Sequence, residues 1–134
     1  MNNHYLGFDF GKKRIGIAVG ETITQTARPL AQVATEDMAA LEKWVSEWQP
    51  AALVVGLPLN MDDSVGPLAK AAKKFAKRLE AHFQKPVHLC DERLTSREAL
   101  ARLAEQGNRK PSKAEINSMA AAVILETWLQ NTQA

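Results

Sequence analysis

Asp9 stands between two phenylalanines in the apolar run Tyr5-Leu6-Gly7-Phe8-Asp9-Phe10-Gly11. A carboxylate in a buried strand is costly to ionise unless a cation, a hydrogen-bond network or an open cleft compensates it. A second acid, Glu92, lies in Asp91-Glu92-Arg93, directly after the short apolar run from Pro86 to Cys90. A third polar residue, Asn117, falls early in the long C-terminal apolar segment, on the same side as Ala121, Ile124 and Trp128 at roughly 100° per residue. Glu115 points with Glu126 to the opposite, solvent side. Oxygen donors that converge from three segments are what hard divalent cations take. His4, His82 and His88 have no mutual ligand spacing, so the histidines offer no competing metal set.

The elements that must position these residues are legible as changes of period. Short apolar runs at 5–10, 14–20 and 27–33 are separated by too few residues for a crossover helix, which predicts an antiparallel meander. From about Glu36 the period turns helical, with Leu41, Trp44, Val45 and Trp48 on one face, and Ala51 to Gly56 reads as a buried strand. Ser64 is expected to cap a helix with the stripe Leu68, Ala72, Phe75, Ala76, Leu79 and Phe83, and Pro86 to Cys90 forms another strand. Capping boxes at Thr95/Glu98 and Ser112/Glu115 open two final helices, through about Gln106 and Leu129. The predicted order is βββαβαβαα, a meander followed by two right-handed crossovers. Asp9 and Glu92 then fall at strand ends, on the edge where open α/β sheets gather ligands.

The chain has 134 residues, 46% of them hydrophobic, which is one domain's worth of core. Lys and Arg exceed Asp and Glu by two, so any basic surface is a local patch. Cys90 stands alone, which rules out an intramolecular disulfide and favours a reducing compartment. With no secretory segment and no apolar run of spanning length, the expectation is a cytoplasmic protein with no membrane partner.

Several long motifs, in order, resemble one family: the YqgF-type pre-16S rRNA nucleases, also described as Holliday-junction-resolvase-like, of the RNase H-like superfamily. They are Phe8 to Ala18, Thr26 to Leu30, Val54 to Asp62, Asp91 to Thr95, and the start of the last helix from Lys113 to Ala121. The resemblance implies a five-stranded sheet of order 3-2-1-4-5 and a Mg²⁺- or Mn²⁺-dependent nuclease that matures the 5′ end of small-subunit ribosomal RNA in the bacterial cytoplasm. Two ions about 4 Å apart can activate water on one side of a phosphate and stabilise the leaving oxygen on the other. Asp9 matches the family's first-strand acid and Glu92 the acid of its Asp-Glu-Arg motif, as catalytic groups and metal ligands. The third acid is expected two residues after Glu115, where this chain has Asn117. An amide oxygen can still ligate, but without charge it holds cations less tightly or keeps only one. Asp91 would point away from Glu92 by strand alternation. The strand order also sets Glu92 two strands from Asp9, about 10 Å at the backbone.

Nucleic acid is the expected partner, an rRNA precursor first, branched DNA second, with ribosomal particles as a further associate. Three basic clusters adjoin the site positions: Lys12, Lys13 and Arg14; Arg93 and Arg97; Arg109, Lys110 and Lys113. The stripe Lys70, Lys73, Lys74 and Lys77 reads instead as the solvated face of its helix. Structural roles remain open for the same residues: Asp9 paired with a hairpin cation, Glu92 neutralising Arg93 or Arg97, Asn117 bonding a loop backbone. Two functional alternatives also stand. One is a non-catalytic RNA or ribosome-assembly binder, and the other an ATP hairpin of the actin and sugar-kinase type, for which the chain lacks a second, clamping domain.

Overall fold

The computed structural model describes residues 3–58, 66–92 and 95–132. The elements run β1 (His4–Phe10), β2 (Arg14–Glu21), β3 (Thr26–Ala34), α1 (Met38–Trp48), β4 (Ala52–Leu57), α2 (Pro67–Phe83), β5 (Val87–Asp91), α3 (Thr95–Glu105) and α4 (Lys113–Thr132). The βββαβαβαα order is the predicted one, and most boundaries move by a residue or two. One five-stranded sheet forms in the order β3-β2-β1-β4-β5. β1, β2 and β3 pair antiparallel, while β4 lies parallel to β1 and β5 parallel to β4. Connections of three and four residues can only make hairpins, and the long α1 and α2 connections carry the chain across to parallel neighbours.

Alternation along the strands splits the core in two. Leu6, Phe8, Phe10, Ile15, Ile17, Val19, Leu53 and Val55 pack against Leu41 and Val45 of α1 and Ala72, Phe75, Ala76 and Leu79 of α2. Phe75 meets the rings of both Phe8 and Phe10, at centroid distances of 6.1 and 5.1 Å. The opposite face is built from small residues. Ala18 packs on the Met119 to Val123 stretch of α4, which α3 covers through Ala99 and Leu103, and Val54 packs on Ile124, Leu125 and Leu129. Helix α4 is therefore buried on two sides, between the sheet and α3.

Helix ends follow the sequence in part. Asp37 caps α1 by accepting from the Ala40 N–H at 3.0 Å. The Ser112/Glu115 box forms in both directions, at 3.0 and 3.1 Å. Helix α2 starts at Pro67 with Gly66 in the cap position and no side-chain cap, and Ser64, the expected cap, lies outside the described residues. A proline in the first helical position lacks an N–H that would have needed a partner. Thr95 is itself the first residue of α3, which puts the cap position among residues outside the description. Glu126 is not on a solvent side: it accepts from the Ala27 N–H at 3.1 Å and the Arg102 guanidinium at 2.8 Å, because α3 and β3 close over that side of α4.

Candidate active site

Asp9 is the penultimate residue of β1 and faces α4, the side opposite Phe8 and Phe10. Glu92 follows β5 immediately, and its N–H donates to the Leu57 carbonyl at 3.2 Å, which fixes the turn out of the strand. The two-strand separation between these acids is closed by the residue between them. A Cβ on Gly56 would lie 2.3 Å from Glu92 Oε2, so the Glu92 side chain lies across β4 through space that only glycine leaves. Its carboxyl reaches Asp9 and shares a hydrogen bond with it.

Asn117 enters from the first turns of α4. A Cβ on Gly16, the β2 partner of Asp9, would fall 2.0 Å from the Asn117 carbonyl oxygen. The missing side chain lets the helix backbone settle on the sheet beside Asp9. Asn117 Nδ2 donates to Gln32 Oε1 of β3 at 2.6 Å. That bond holds the amide, and among the described residues Oδ1 accepts no hydrogen bond. Thr35 fastens the same corner, its hydroxyl donating to the Gly11 carbonyl at 2.7 Å.

Asp9 and Asn117 line one open cleft of about 430 Å³ with Gly11, Lys13, Arg14, Lys113 and Ile116. Three of the expected cations thus stand at the cleft wall. Lys12 is exposed in the hairpin beside them, and Arg109 and Lys110 are exposed between α3 and α4, outside the cleft wall. Arg97 faces a separate recess with Asp91, Thr95 and Glu98. Arg93 lies outside the described residues.

The electrostatics follow from burial without a cation. Burial pushes the Asp9 carboxyl above its ordinary value, with the hydrogen bond from Glu92 opposing the shift. Glu92 is pushed up to about 9, by burial first, then by the charge of Asp9, their hydrogen bond and the charge of Asp91. Both shifts disfavour full ionisation of the pair, and the hydrogen bond between them runs from Glu92 to Asp9. Glu92 Oε2 is buried with no hydrogen-bond partner among the described residues. An orphaned carboxylate oxygen beside a second acid is the electrostatic environment a cation would relieve, so the residues fit a divalent ion. Among the described residues no group of three His, Cys, Asp or Glu could hold a metal.

Gln32, Gly16 and Gly56 were not singled out in the sequence. Their signal was register: Gly16 sits opposite Asp9, and Gly56 one step beyond the Phe8↔Val55 pair.

A 3-2-1-4-5 sheet with paired acids at the carboxyl edge of β1 and β5 defines an RNase H-like fold. The same fold is found in Thermus thermophilus RuvC in complex with a Holliday junction substrate, with a TM-score of 0.59 at 16% identity over 98% of this chain and 97% of that one. Fowlpox virus resolvase, in complex with Holliday junction DNA, gives a TM-score of 0.55 at 11% identity over 96% and 97%. The model of the RuvX family, described as Holliday junction resolvase, matches residues 3–131, and the chain belongs to that family. It is 48% identical over 134 residues to a Legionella pneumophila protein, covering 96% of each chain. It is 47% identical over 135 residues to one from Escherichia coli O157:H7, covering 97% of this chain and 98% of the other. Both relatives carry the name "Putative pre-16S rRNA nuclease".

Proposed function

We propose that this chain is a divalent-metal-dependent endonuclease that matures the 5′ end of pre-16S rRNA in the cytoplasm, acting on the precursor or on an assembling ribosomal particle. The observation that carries the proposal is the partly buried, hydrogen-bonded pair of Asp9 and Glu92 beside a cleft walled by Lys13, Arg14 and Lys113. The near-full-length relatives named for pre-16S rRNA favour that substrate over branched DNA. Among the described residues no helix is long and apolar enough to cross a membrane.

Asp9, Glu92 and the Asn117 amide oxygen would hold the cation. When bound it would polarise a phosphoryl oxygen and acidify a water. Glu92 must give up its proton for this, so its raised affinity for protons sets a competition between H⁺ and metal. Lys13, Arg14 and Lys113 hold the backbone phosphates on either side of the scissile bond and neutralise charge there. Gln32 keeps the Asn117 carbonyl turned to the cleft by occupying its NH₂.

The test is cleavage of an rRNA precursor by purified protein with Mn²⁺ or Mg²⁺. Asp9→Asn is expected to lower the rate at least about 100-fold with an unchanged melting temperature. Equal cleavage by wild type and variant would identify a contaminant and overturn the proposal. A specific observation, the uncharged third donor Asn117, favours one other reading, an RNA binder without catalysis. Tight, metal-independent precursor binding without cleavage would select it, and faster cutting of a four-way DNA junction than of RNA would select the DNA substrate.

A further inference from the structure

We propose that the outer edge of β5, together with the lysine face of α2 beside it, is a docking site for an acidic segment of a partner protein, which adds to the sheet as a sixth strand. The two edges of the sheet differ. At β3 the edge is closed to pairing: Pro29 sits within the strand, the register slips opposite Ile17 and Ala18, and Glu126 occupies the Ala27 N–H. Strand β5 contains no proline and pairs with β4 in unbroken register from Val87 to Asp91.

Which groups of β5 face outward follows from two bonds. The Leu53 N–H donates to the Pro86 carbonyl at 2.9 Å and the Glu92 N–H to the Leu57 carbonyl at 3.2 Å. Pro86 and Glu92, and by alternation His88 and Cys90, direct their backbone groups to β4. The N–H and C=O groups of Val87 and Leu89 therefore point away from the sheet, and no hydrogen bond reaches them among the described residues. The side chains of the same two residues, with Ala76, Lys73, Lys77 and Glu80 of α2, line a groove of about 360 Å³. Leu89 is 41% exposed, one of the few large apolar side chains left in water.

Charge selects the occupant. Helix α2 carries Lys70, Lys73, Lys74, Lys77 and Arg78 against Glu80 as its one acid, whereas the whole chain is at +2. A second copy paired edge to edge about a two-fold axis would bring two such lysine faces together, which disfavours a homodimer here. RNA would find cations but no aromatic platform in the groove, and bases do not complete a strand's ladder. An extended acidic segment meets all three features: main-chain bonds to Val87 and Leu89, an apolar side chain over Leu89 and Ala76, and carboxylates beside Lys73 and Lys77.

The experiment uses the full-length ¹⁵N-labelled protein and an end-blocked eight-residue peptide of alternating glutamate and valine. At saturation the amide protons of Val87 and Leu89 are expected to exchange at least tenfold more slowly, with those of β3 unchanged. Lys73→Glu combined with Lys77→Glu, both surface changes, is expected to weaken the peptide about tenfold while rRNA-precursor cleavage stays at the wild-type rate. Peptide contact without protection of Val87 and Leu89, or equal binding by a lysine–valine peptide, overturns the proposal. So does protection that grows with protein concentration alone, which would assign the edge to self-association. Displacement of the peptide by oligouridylate that perturbs only the α2 lysines would assign the face to nucleic acid instead.

Discussion

The two faces of the sheet are made of different material. Toward α1 and α2 the strands present Leu6, Phe8, Phe10, Ile15, Ile17 and Val55, large side chains that fill volume. Toward α4 they present Gly16, Ala18, Val54 and Gly56, and the helix answers with a run of alanines. Bulk on one face provides the free energy of burial. Smallness on the other lets a helix backbone and a glutamate side chain come within reach of Asp9. One face holds the molecule together, and the other brings three distant segments to one point.

Substitutions on the two faces should therefore fail in different ways. Phe8→Ala removes a fully buried ring that meets Phe75, and is expected to cost about 3–5 kcal/mol in denaturant unfolding. The fraction that stays folded should keep the metal affinity of the wild type, and a large loss of affinity in that fraction would dissolve the distinction. Gly56→Ala is the converse case. The new methyl group meets Glu92 Oε2 at 2.3 Å and Ile124 Cδ1 at 2.5 Å, so it is expected to cost about 1–3 kcal/mol and to lower cleavage about 100-fold or more by pushing Glu92 off Asp9. Chemical-shift changes confined to Glu92 and α4 would locate the effect.

Gln32→Ala is a smaller change on the same face. It frees the Asn117 amide, and the expected loss is about 1 kcal/mol of stability with a severalfold weaker Mn²⁺ affinity. An unchanged affinity would show that Asn117 does not ligate. The smallest effect is a pH slope in metal-free protein. Glu92 rises from an ordinary 4.5 to about 9 on folding, so between those values the folded state binds more protons than the unfolded one. Stability is then highest at the acid end of that window and falls as pH rises toward about 9, and Glu92→Gln should flatten the curve.

Most of the architecture was legible because period reports burial. The alternation of Leu6, Phe8 and Phe10 around Gly7 and Asp9 marks β1, and short spacers force the meander. Strand order came from the family resemblance, since periodicity does not say which strand neighbours which. The positions of Asp9 and Glu92 at strand ends were also legible, but their contact was not. A separation of two strands looks prohibitive until Gly56 is recognised as the gap through which Glu92 passes, and that requires register. Asn117 was placed inward correctly, whereas the Gln32 amide that holds it comes from β3, 85 positions away in the chain. Glu126 was misread because a helical wheel records one buried side, and α4 has two.

The central claim is that a divalent cation competes with protons for Asp9 and Glu92. Calorimetric titration of Mn²⁺ at pH 7, in buffers of different ionisation enthalpy, measures that competition directly. The expected result is release of close to one proton per ion bound, falling toward zero in Glu92→Gln, with binding lost in Asp9→Asn. Binding without proton release, or of equal strength in Asp9→Asn, would contradict it.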